Sequence, residues 1–232
     1  MKTALITGAS RGLGHALLTH LADGQAGPPW RVVVDARDAR ALLAATSELG
    51  AQVVTIAGDV ADAAHRRTLV DAVGPRLDLL VLNASTLGTS PLPPLAGYDL
   101  AVLRDVFEVN TLAPLALAQL ALPALRAAHG RIVAISSDAA VAAYPGWGGY
   151  GASKAALDQL TNVLGAEESD IRVYSVDPGD MRTQMQAEAF PREDISDRPE
   201  PETVVPALRA LIDRDLPSGR YLAAELLAGT SR

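Results

Sequence analysis

Short apolar runs alternate with longer stretches of helical periodicity along the chain. The runs at 79–82 and 132–135 are apolar at every position, which is typical of strands that are covered on both faces. Runs of this kind predict seven strands, at 3–7, 31–35, 52–57, 77–82, 131–136, 171–176 and 219–223. Helical patterns lie between them and predict one helix that ends near residue 22 and others at 39–49, 61–73, 99–128, 149–165 and 201–213.

Strand–helix alternation at this spacing predicts an α/β fold, a Rossmann-type doubly wound parallel sheet of about seven strands with helices on both faces. No repeat or change of composition divides the sequence, so we expect residues 1–232 to form a single domain. The segment 25–29 is a turn-rich connector, and the polar, proline-bearing segment at about 184–201 is expected to be a substrate loop. The long helix at 99–128 should bend or break near its prolines.

Composition narrows the classes of function. Hydrophobic residues make up 49% of the chain and charged residues 20%, a globular profile, and the net charge of −7 argues against a nucleic-acid surface. The chain has no cysteine, which excludes disulfides and thiolate metal sites and fits a reducing compartment. The most apolar segment, 111–125, contains two prolines and is too short to span a membrane, so a cytoplasmic location without membrane contact is expected. The four histidines are scattered, and no metal site is expected.

A glycine-rich turn, Thr7-Gly8-Ala9-Ser10-Arg11-Gly12-Leu13-Gly14, joins the first predicted strand to the first helix. Glycines allow the backbone to turn tightly and to approach a pyrophosphate without a Cβ in the way. The N-terminus of the following helix offers unpaired N–H groups and a partial positive charge to the same anion. This position therefore predicts a phosphate cradle, although a tight turn without a ligand is the alternative.

A tyrosine and a lysine lie four residues apart in Tyr150-Gly151-Ala152-Ser153-Lys154, so a helix places both on one face. The chain uses only two lysines beside 18 arginines, and one of the two stands here. A phenol has a pKa of about 10, and lowering it by about three units takes roughly 4 kcal/mol. An ammonium about 4 Å away supplies about that much at an effective dielectric of about 20. Lys154 is therefore expected to lower the pKa of Tyr150, which would act as a general acid/base.

The glycine spacing T-G-x-x-x-G-x-G differs from the G-x-G-x-x-G fingerprint and, like the tyrosine–lysine pair, resembles the short-chain dehydrogenase/reductase family. The resemblance extends over nearly the whole chain and matches a member with a short C-terminus. It implies catalytic roles for Ser137, thirteen residues before Tyr150, and for Asn110 on the long helix. Ser137 would bind the substrate oxygen, with Ser136 the weaker candidate, and Asn110 would be associated with a water that links the lysine to solvent.

The choice of nicotinamide cofactor depends on the end of the second strand. An acidic residue in this region would hold the free ribose hydroxyl of NAD, and Asp35 is close to the required place. Alignment with the family instead places Ala36 there, followed by Arg37 where NADP-preferring members hold a basic residue. Arg11 in the glycine turn resembles the second basic residue of that subgroup, and two guanidiniums suit a phosphate dianion. NADP(H) is the predicted cofactor, with NAD(H) possible.

The resemblance implies further cofactor contacts at the ends of other strands. They comprise Asp59, Val60, Asn83, Ala84, Pro178, Gly179, Met181 and Thr183, together with Ser10 and Leu13 of the glycine turn and the ribose-binding Lys154. The usual Asn-Asn-Ala-Gly motif is altered to Leu82-Asn83-Ala84-Ser85, and Tyr174 replaces a usual asparagine. The predicted substrate pocket is mostly apolar and includes Leu87, Tyr144, Trp147, Met181, Met185 and Phe190.

These observations predict an NADP(H)-dependent oxidoreductase that interconverts a small-molecule carbonyl and an alcohol by hydride transfer. A nucleotide-binding regulatory protein that has lost turnover is the alternative, supported only by the altered Asn83 motif. The resemblance also implies a homodimer or homotetramer that associates through the helices containing Asn110 and Tyr150.

Overall fold

The computed structural model describes residues 1–24 and 27–228, so the predicted connector at 25–29 lies partly outside the described residues. Its strands are β1 Thr3–Ile6, β2 Arg31–Ala36, β3 Val53–Ala57, β4 Leu79–Leu82, β5 Arg131–Ile135, β6 Arg172–Asp177 and β7 Gly219–Leu222. They form one sheet in the order β3-β2-β1-β4-β5-β6-β7, with every neighbouring pair parallel. The predicted doubly wound parallel sheet is confirmed.

The helices lie on both faces of this sheet. Their bounds are α1 Gly12–Ala22, α2 Ala39–Thr46, α3 Ala63–Val73, α4 Leu100–Phe107, α5 Ala113–Ala128, α6 Gly148–Glu167, α7 Gln184–Ala189, α8 Val205–Asp213 and α9 Ala223–Ala228. Helices α1, α2, α8 and α9 cover one face, and α3, α5 and α6 cover the other. Strands β1 to β6 supply both cores in alternation, because successive side chains point to opposite faces. In β4, Leu79 and Val81 pack into the first core and Leu80 and Leu82 into the second.

The predicted long helix runs over Leu100–Ala128, but one wide π-helical turn, Glu108–Leu112, interrupts it between α4 and α5. The irregularity ends just before Pro114, which lies in the first turn of α5, so the expected break near a proline is confirmed. Pro123 lies within α5 on its exposed side and does not end the helix. Among the described residues, Leu100–Ala128 is the one helix long and apolar enough to cross a membrane, yet 44% of its most apolar window is buried.

Outside the sheet, the loop expected at about 184–201 is wrong in its first part, and the helix expected at 201–213 is confirmed with a different first turn. The predicted loop at 184–201 begins as helix α7, because the Thr183 hydroxyl accepts a hydrogen bond from the Gln186 N–H at 3.2 Å and caps the helix. The predicted helix at 201–213 opens as a 3₁₀ turn, Pro201–Val204, before α8 begins. Helix α9, after β7, was not expected from the pattern.

Candidate active site

A cavity of about 930 Å³ opens at the carboxyl edge of the sheet, where ligands of doubly wound folds bind. The glycine turn and Arg37 line one end, and Tyr150 and Lys154 line the other. Of the predicted site residues, the lining includes Gly8, Ser10, Arg11, Gly12, Leu13, Arg37, Asp59, Val60, Asn83, Ala84, Ser137, Tyr150, Lys154, Pro178, Gly179, Met181 and Thr183. Gly14 and Asn110 do not line it and lie beneath its wall.

The glycine turn is shaped by a close approach of the backbone to itself. Gly8 and Gly12 have φ angles of +68° and +60°, a region that favours glycine. A Cβ on Gly14 would lie 2.6 Å from the Gly8 carbonyl oxygen, so the third glycine allows α1 to pack against the turn. The first turn of α1 thereby directs its N-terminus toward the cavity, as an anion site requires.

Asn83 holds the glycine turn against the end of β4. Its side-chain Nδ2 donates to the carbonyl oxygens of Thr7 at 2.9 Å and Gly8 at 3.0 Å. The Thr7 hydroxyl in turn accepts from the backbone N–H groups of Asn83 and Ala84, at 3.0 and 3.1 Å. The part of the Asn-Asn-Ala-Gly motif that this chain keeps is therefore the part that ties two strand ends together.

Asp35 is occupied within the protein. One carboxylate oxygen accepts from the Gly8 N–H at 2.9 Å, and the other lies 3.0 Å from Nε2 of the buried His65. This arrangement leaves Asp35 buried and engaged, whereas Arg37 is exposed and lines the cavity. Arg11 also lines the cavity, but its guanidinium donates to the side chain of Gln184 at the start of α7.

Asp59 and Val60 follow β3 and line the cavity at the same end as Arg37. The Asp59 carboxylate accepts from the Ala61 N–H at 2.9 Å, but the N-cap of α3 is Asp62, whose carboxylate accepts from the Ala64 N–H. The Val60 carbonyl accepts from the Arg66 guanidinium. Asp59 therefore shapes the turn before α3 and does not start that helix.

Tyr150 and Lys154 share one face of α6 and are almost fully buried, with 7% and 2% of their surfaces exposed. The ammonium Nζ of Lys154 lies 5.5 Å from the centre of the Tyr150 ring and donates to the Ile135 carbonyl at 2.7 Å. Ser137 follows β5, where its hydroxyl accepts from the Ala139 N–H at 3.1 Å and donates to the Asp138 carboxylate at 3.0 Å. The structure thus brings the predicted tyrosine, lysine and serine to one end of the cavity.

Burial controls the protonation of the pair on α6. It raises the pKa of the Tyr150 phenol above its usual value, and hydrogen bonding by Ser85 and Ser137 offsets only part of that rise. It lowers the pKa of Lys154 to about 8, while the Asp158 carboxylate acts in the opposite direction. In the protein by itself the net pKa of the Tyr150 phenol is therefore raised and not lowered as expected, because loss of water disfavours the charged form of the phenol and outweighs the groups that lower its pKa.

Asn110 lies in the π-helical turn and is fully buried. Its Oδ1 accepts from the Ser85 hydroxyl at 3.1 Å and the Thr86 N–H at 2.9 Å, and its Nδ2 donates to the Thr86 carbonyl at 2.9 Å. The same Nδ2 donates to the Ser153 hydroxyl at 3.0 Å, which donates to the Tyr150 carbonyl at 2.6 Å. The Asn110 side chain therefore ties the segment after β4 to α6.

The predicted substrate pocket is assembled at the tyrosine end of the cavity. Trp147 packs edge-on against Tyr150 with ring centres 5.6 Å apart, and its ring centre lies 5.7 Å from that of Phe190. All six predicted pocket residues line the cavity: Leu87, Tyr144, Trp147, Met181, Met185 and Phe190. Tyr174, by contrast, is a core residue that packs on Tyr221 and donates to the Leu216 carbonyl at 2.9 Å.

Sequence reasoning missed three side chains that surround the site. Asp138 directly follows Ser137 and binds its hydroxyl, Asp158 lies one helical turn beyond Lys154, and Arg220 of β7 pairs with Asp158 at 2.9 Å. Only Asp158 carried a signal, since it continues the helical face of Tyr150 and Lys154. No cluster of three or more metal-binding side chains occurs within the described ranges.

A glycine-turn cavity at the carboxyl edge of a doubly wound sheet, with a buried tyrosine–lysine pair, defines a nucleotide-binding Rossmann-fold oxidoreductase. Residues 2–194 match the family model of the short chain dehydrogenases. The chain is 39% identical to sepiapterin reductase of Mus musculus over 197 residues, which span 78% of this chain and 75% of that protein. The chain therefore belongs to the short-chain dehydrogenase family.

Solved structures support the same assignment. A short chain dehydrogenase from Escherichia coli CFT073, solved in complex with NADPH, superposes with a TM-score of 0.86 at 30% identity, covering 96% of each chain. The KRED1-Pglu enzyme superposes with a TM-score of 0.85 at 30% identity, covering 95% of this chain and 100% of that one. Both therefore share the fold of this chain over almost its full length.

The lowered pKa of Lys154 predicts a pH-dependent stability. Between a pKa of about 8 in the folded protein and the usual 10.5, the unfolded chain binds the additional proton, so stability rises with pH through this window. Relative to Lys154→Met, the wild-type free energy of unfolding should rise by about 2 kcal/mol between about pH 7 and pH 9.5. Urea unfolding of the cofactor-free wild type and variant, at several pH values, measures this free energy of unfolding.

The matched control is Lys2→Met, which removes the other lysine, an exposed one. The free energy of unfolding of Lys2→Met should differ from that of wild type by a constant amount over the same pH range. If the free energy of unfolding of Lys154→Met also differs from that of wild type by a constant amount, burial does not lower the pKa of Lys154.

Proposed function

We propose that this protein is an NADP(H)-dependent oxidoreductase that interconverts a carbonyl and an alcohol by hydride transfer, with Tyr150 as the general acid/base. One observation carries the proposal. A single cavity has Ser137, Tyr150 and Lys154 at one end and the glycine turn with Arg37 at the other. The cavity thus joins a proton donor to a phosphate-binding end in a space of dinucleotide size.

The residues present fit NADP(H). The glycine turn and the N-terminus of α1 would hold the pyrophosphate, and Arg37 would bind the 2′-phosphate through charge-assisted hydrogen bonds. The Asp35 carboxylate is engaged by Gly8 and His65, so it is not free to bind the ribose of NAD. Asp59 and Val60 would flank the adenine, and Pro178, Gly179, Met181 and Thr183 the nicotinamide. The bound cofactor supplies or accepts the hydride.

The protein residues would handle the proton and the substrate oxygen. Because burial raises the pKa of Tyr150, the phenol holds its proton at neutral pH and can donate it to the carbonyl oxygen during reduction. Ser137 would turn its hydroxyl from Asp138 to the same oxygen and stabilise the developing negative charge. Lys154, held by the Ile135 carbonyl, would bind the nicotinamide ribose and stabilise the phenolate after proton transfer.

The walls around Tyr150 suggest the type of substrate. Trp147, Phe190, Leu87 and Met185 offer an apolar and aromatic surface. The carboxylates Asp138, Asp180 and Glu188 also line the cavity. We propose a neutral carbonyl compound with an apolar or aromatic body in preference to a keto acid, because the acidic lining would repel a carboxylate.

Self-association is proposed through the helices named by the family resemblance. Leu112 and Leu120 of the long helix and Val163 of α6 are large apolar side chains exposed to solvent. Burying them against a second copy would remove this surface from water. Sedimentation of purified protein would show a dimer or tetramer, and a monomer would reject this assembly.

Steady-state assays test the function directly. NADPH oxidation would be followed with a panel of aromatic and aliphatic ketones, aldehydes, keto acids and sepiapterin, in parallel with NADH. Turnover of neutral carbonyls supports the proposal. NADPH binding without turnover of any substrate supports the regulatory alternative suggested by Leu82 and Ser85.

Tyr150→Phe removes the proton donor and keeps the ring. Loss of a general acid/base costs about 10²–10⁴ in rate, so kcat should fall by at least about a hundredfold while NADPH binding is retained. The control is Tyr221→Phe, which removes a phenol bonded to the Pro217 carbonyl outside the cavity. Full turnover in Tyr150→Phe would reject this mechanism.

Arg37→Ala tests the choice of cofactor. A hydrogen bond to a charged group contributes about 1.5–3 kcal/mol, so the Kd for NADPH should rise by about tenfold to a hundredfold while the Kd for NADH changes little. Arg40→Ala is the control, since Arg40 is exposed in the first turn of α2, three residues after Arg37, and does not line the cavity. Fluorescence titration gives both constants, and equal losses for NADPH and NADH would exclude a role in 2′-phosphate recognition.

A further inference from the structure

Arg220 of β7 places a guanidinium behind the tyrosine end of the cavity. Its Nε donates to the Asp158 carboxylate at 2.9 Å, and its Nη2 donates to the Asp177 carboxylate at 3.1 Å. The same Nη2 donates to the Ser137 carbonyl at 3.1 Å. One side chain therefore joins β5, β6, β7 and α6 at the edge where the site is built. Because both carboxylates are buried, neither can exchange this partner freely for water.

Two of these contacts hold backbone that faces the cavity. Ser137 is the residue whose hydroxyl would bind the substrate oxygen, and Arg220 holds its carbonyl. Asp177 accepts from the Gly179 N–H at 3.0 Å with its other oxygen and so shapes the turn that lines the cavity there. Arg220 thus reaches both the serine and the nicotinamide-side turn without lining the cavity itself.

The third contact balances charge. Asp158 lies four residues after Lys154 on α6, and its negative charge favours the Lys154 ammonium. Asp177 and Asp138 disfavour the Tyr150 phenolate. Arg220 is the cation paired with both Asp158 and Asp177, so it limits the negative potential that reaches the pair on α6.

We propose that Arg220 is a positioning residue of this site, which fixes the Ser137 backbone and the 177–179 turn and offsets the two carboxylates behind Tyr150 and Lys154. The inference rests on the proposed function, because it assigns Arg220 to the same proton-transfer machinery. The proposal predicts that substitutions of Arg220 can separate the effect of its positive charge from the effect of its hydrogen-bond geometry.

Arg220→Met removes both the charge and the hydrogen bonds. With Asp158 and Asp177 no longer offset, the phenolate is less favourable, and the rising limb of the pH profile for alcohol oxidation should move up by about 1 pH unit. Loss of the Ser137 and 177–179 alignment should also lower kcat by about tenfold or more, as small displacements of catalytic groups do. Arg220→Gln, which keeps an amide donor, gives the same pH readout if Arg220→Met does not fold.

Arg220→Lys separates the two effects. A lysine keeps the positive charge but cannot donate to all three acceptors in the planar arrangement of a guanidinium. The pH limb should therefore stay near that of wild type while kcat remains reduced. The matched control is Arg172→Met, which removes an ion pair with Asp215 from the neighbouring strand β6, away from the cavity. It should change neither readout.

A pH limb for folded Arg220→Met that coincides with wild type overturns the proposal, even if kcat falls, because a purely structural role gives that result. An equal pH shift in Arg172→Met also overturns it. Absence of turnover in wild type, or full activity in Tyr150→Phe, rejects the proposed function itself. A wild-type pH limb in Arg220→Met beside an inactive Tyr150→Phe rejects only the role of Arg220.

Discussion

The organisation of this site depends on keeping a lysine ammonium beneath the carboxyl edge of the sheet with almost no contact with water. Desolvation lowers the pKa of Lys154, so the surrounding groups must favour the charge. The Ile135 carbonyl accepts from it directly, and Asp158 lies one turn further along the same helix. Arg220 then compensates Asp158 in turn. The tyrosine end of the cavity therefore contains a series of charges of alternating sign, the buried Lys154 and Asp158 and the half-buried Arg220, in which each charge stabilises the next.

The cofactor end of the cavity depends instead on close packing of backbone. Gly8 and Gly14 approach within distances that a Cβ would obstruct, and Asn83 holds the turn by donating to the carbonyl oxygens of Thr7 and Gly8. The groups that hold this turn are backbone and amide groups, together with the Asp35 carboxylate that accepts from the Gly8 N–H. A flexible end would lose the alignment of N–H groups that an anion site requires. The two ends of one cavity are thus stabilised by different physics, charge compensation at one and steric fit at the other.

The departures from the family pattern are accommodated locally. Ser85, where a glycine is usual, donates to the Asn110 side chain. Its hydrogen bonding also lowers the pKa of the Tyr150 phenol, against the larger rise caused by burial. Asn110 itself lies in a π-helical turn, which brings its amide between the segment after β4 and Ser153. Tyr174 replaces a usual asparagine but packs in the core against Tyr221 and does not line the cavity. The serine, tyrosine, lysine and asparagine of the family pattern are therefore retained in this chain within an altered hydrogen-bond network.

The sequence by itself determined the seven strands, the doubly wound sheet, the glycine turn and the tyrosine–lysine–serine set. The strands, the sheet, the glycine turn and the tyrosine–lysine pair follow from periodicity and short spacings, which are local properties of a chain, whereas Ser137 was implied by the family resemblance. Tertiary structure alone decided that Asp35 is engaged by Gly8 and His65, that burial raises the pKa of Tyr150, and that Arg220 reaches the serine. It also decided that α7 begins inside an expected loop. Burial and pairing between residues far apart in sequence have no local pattern from which they could be inferred.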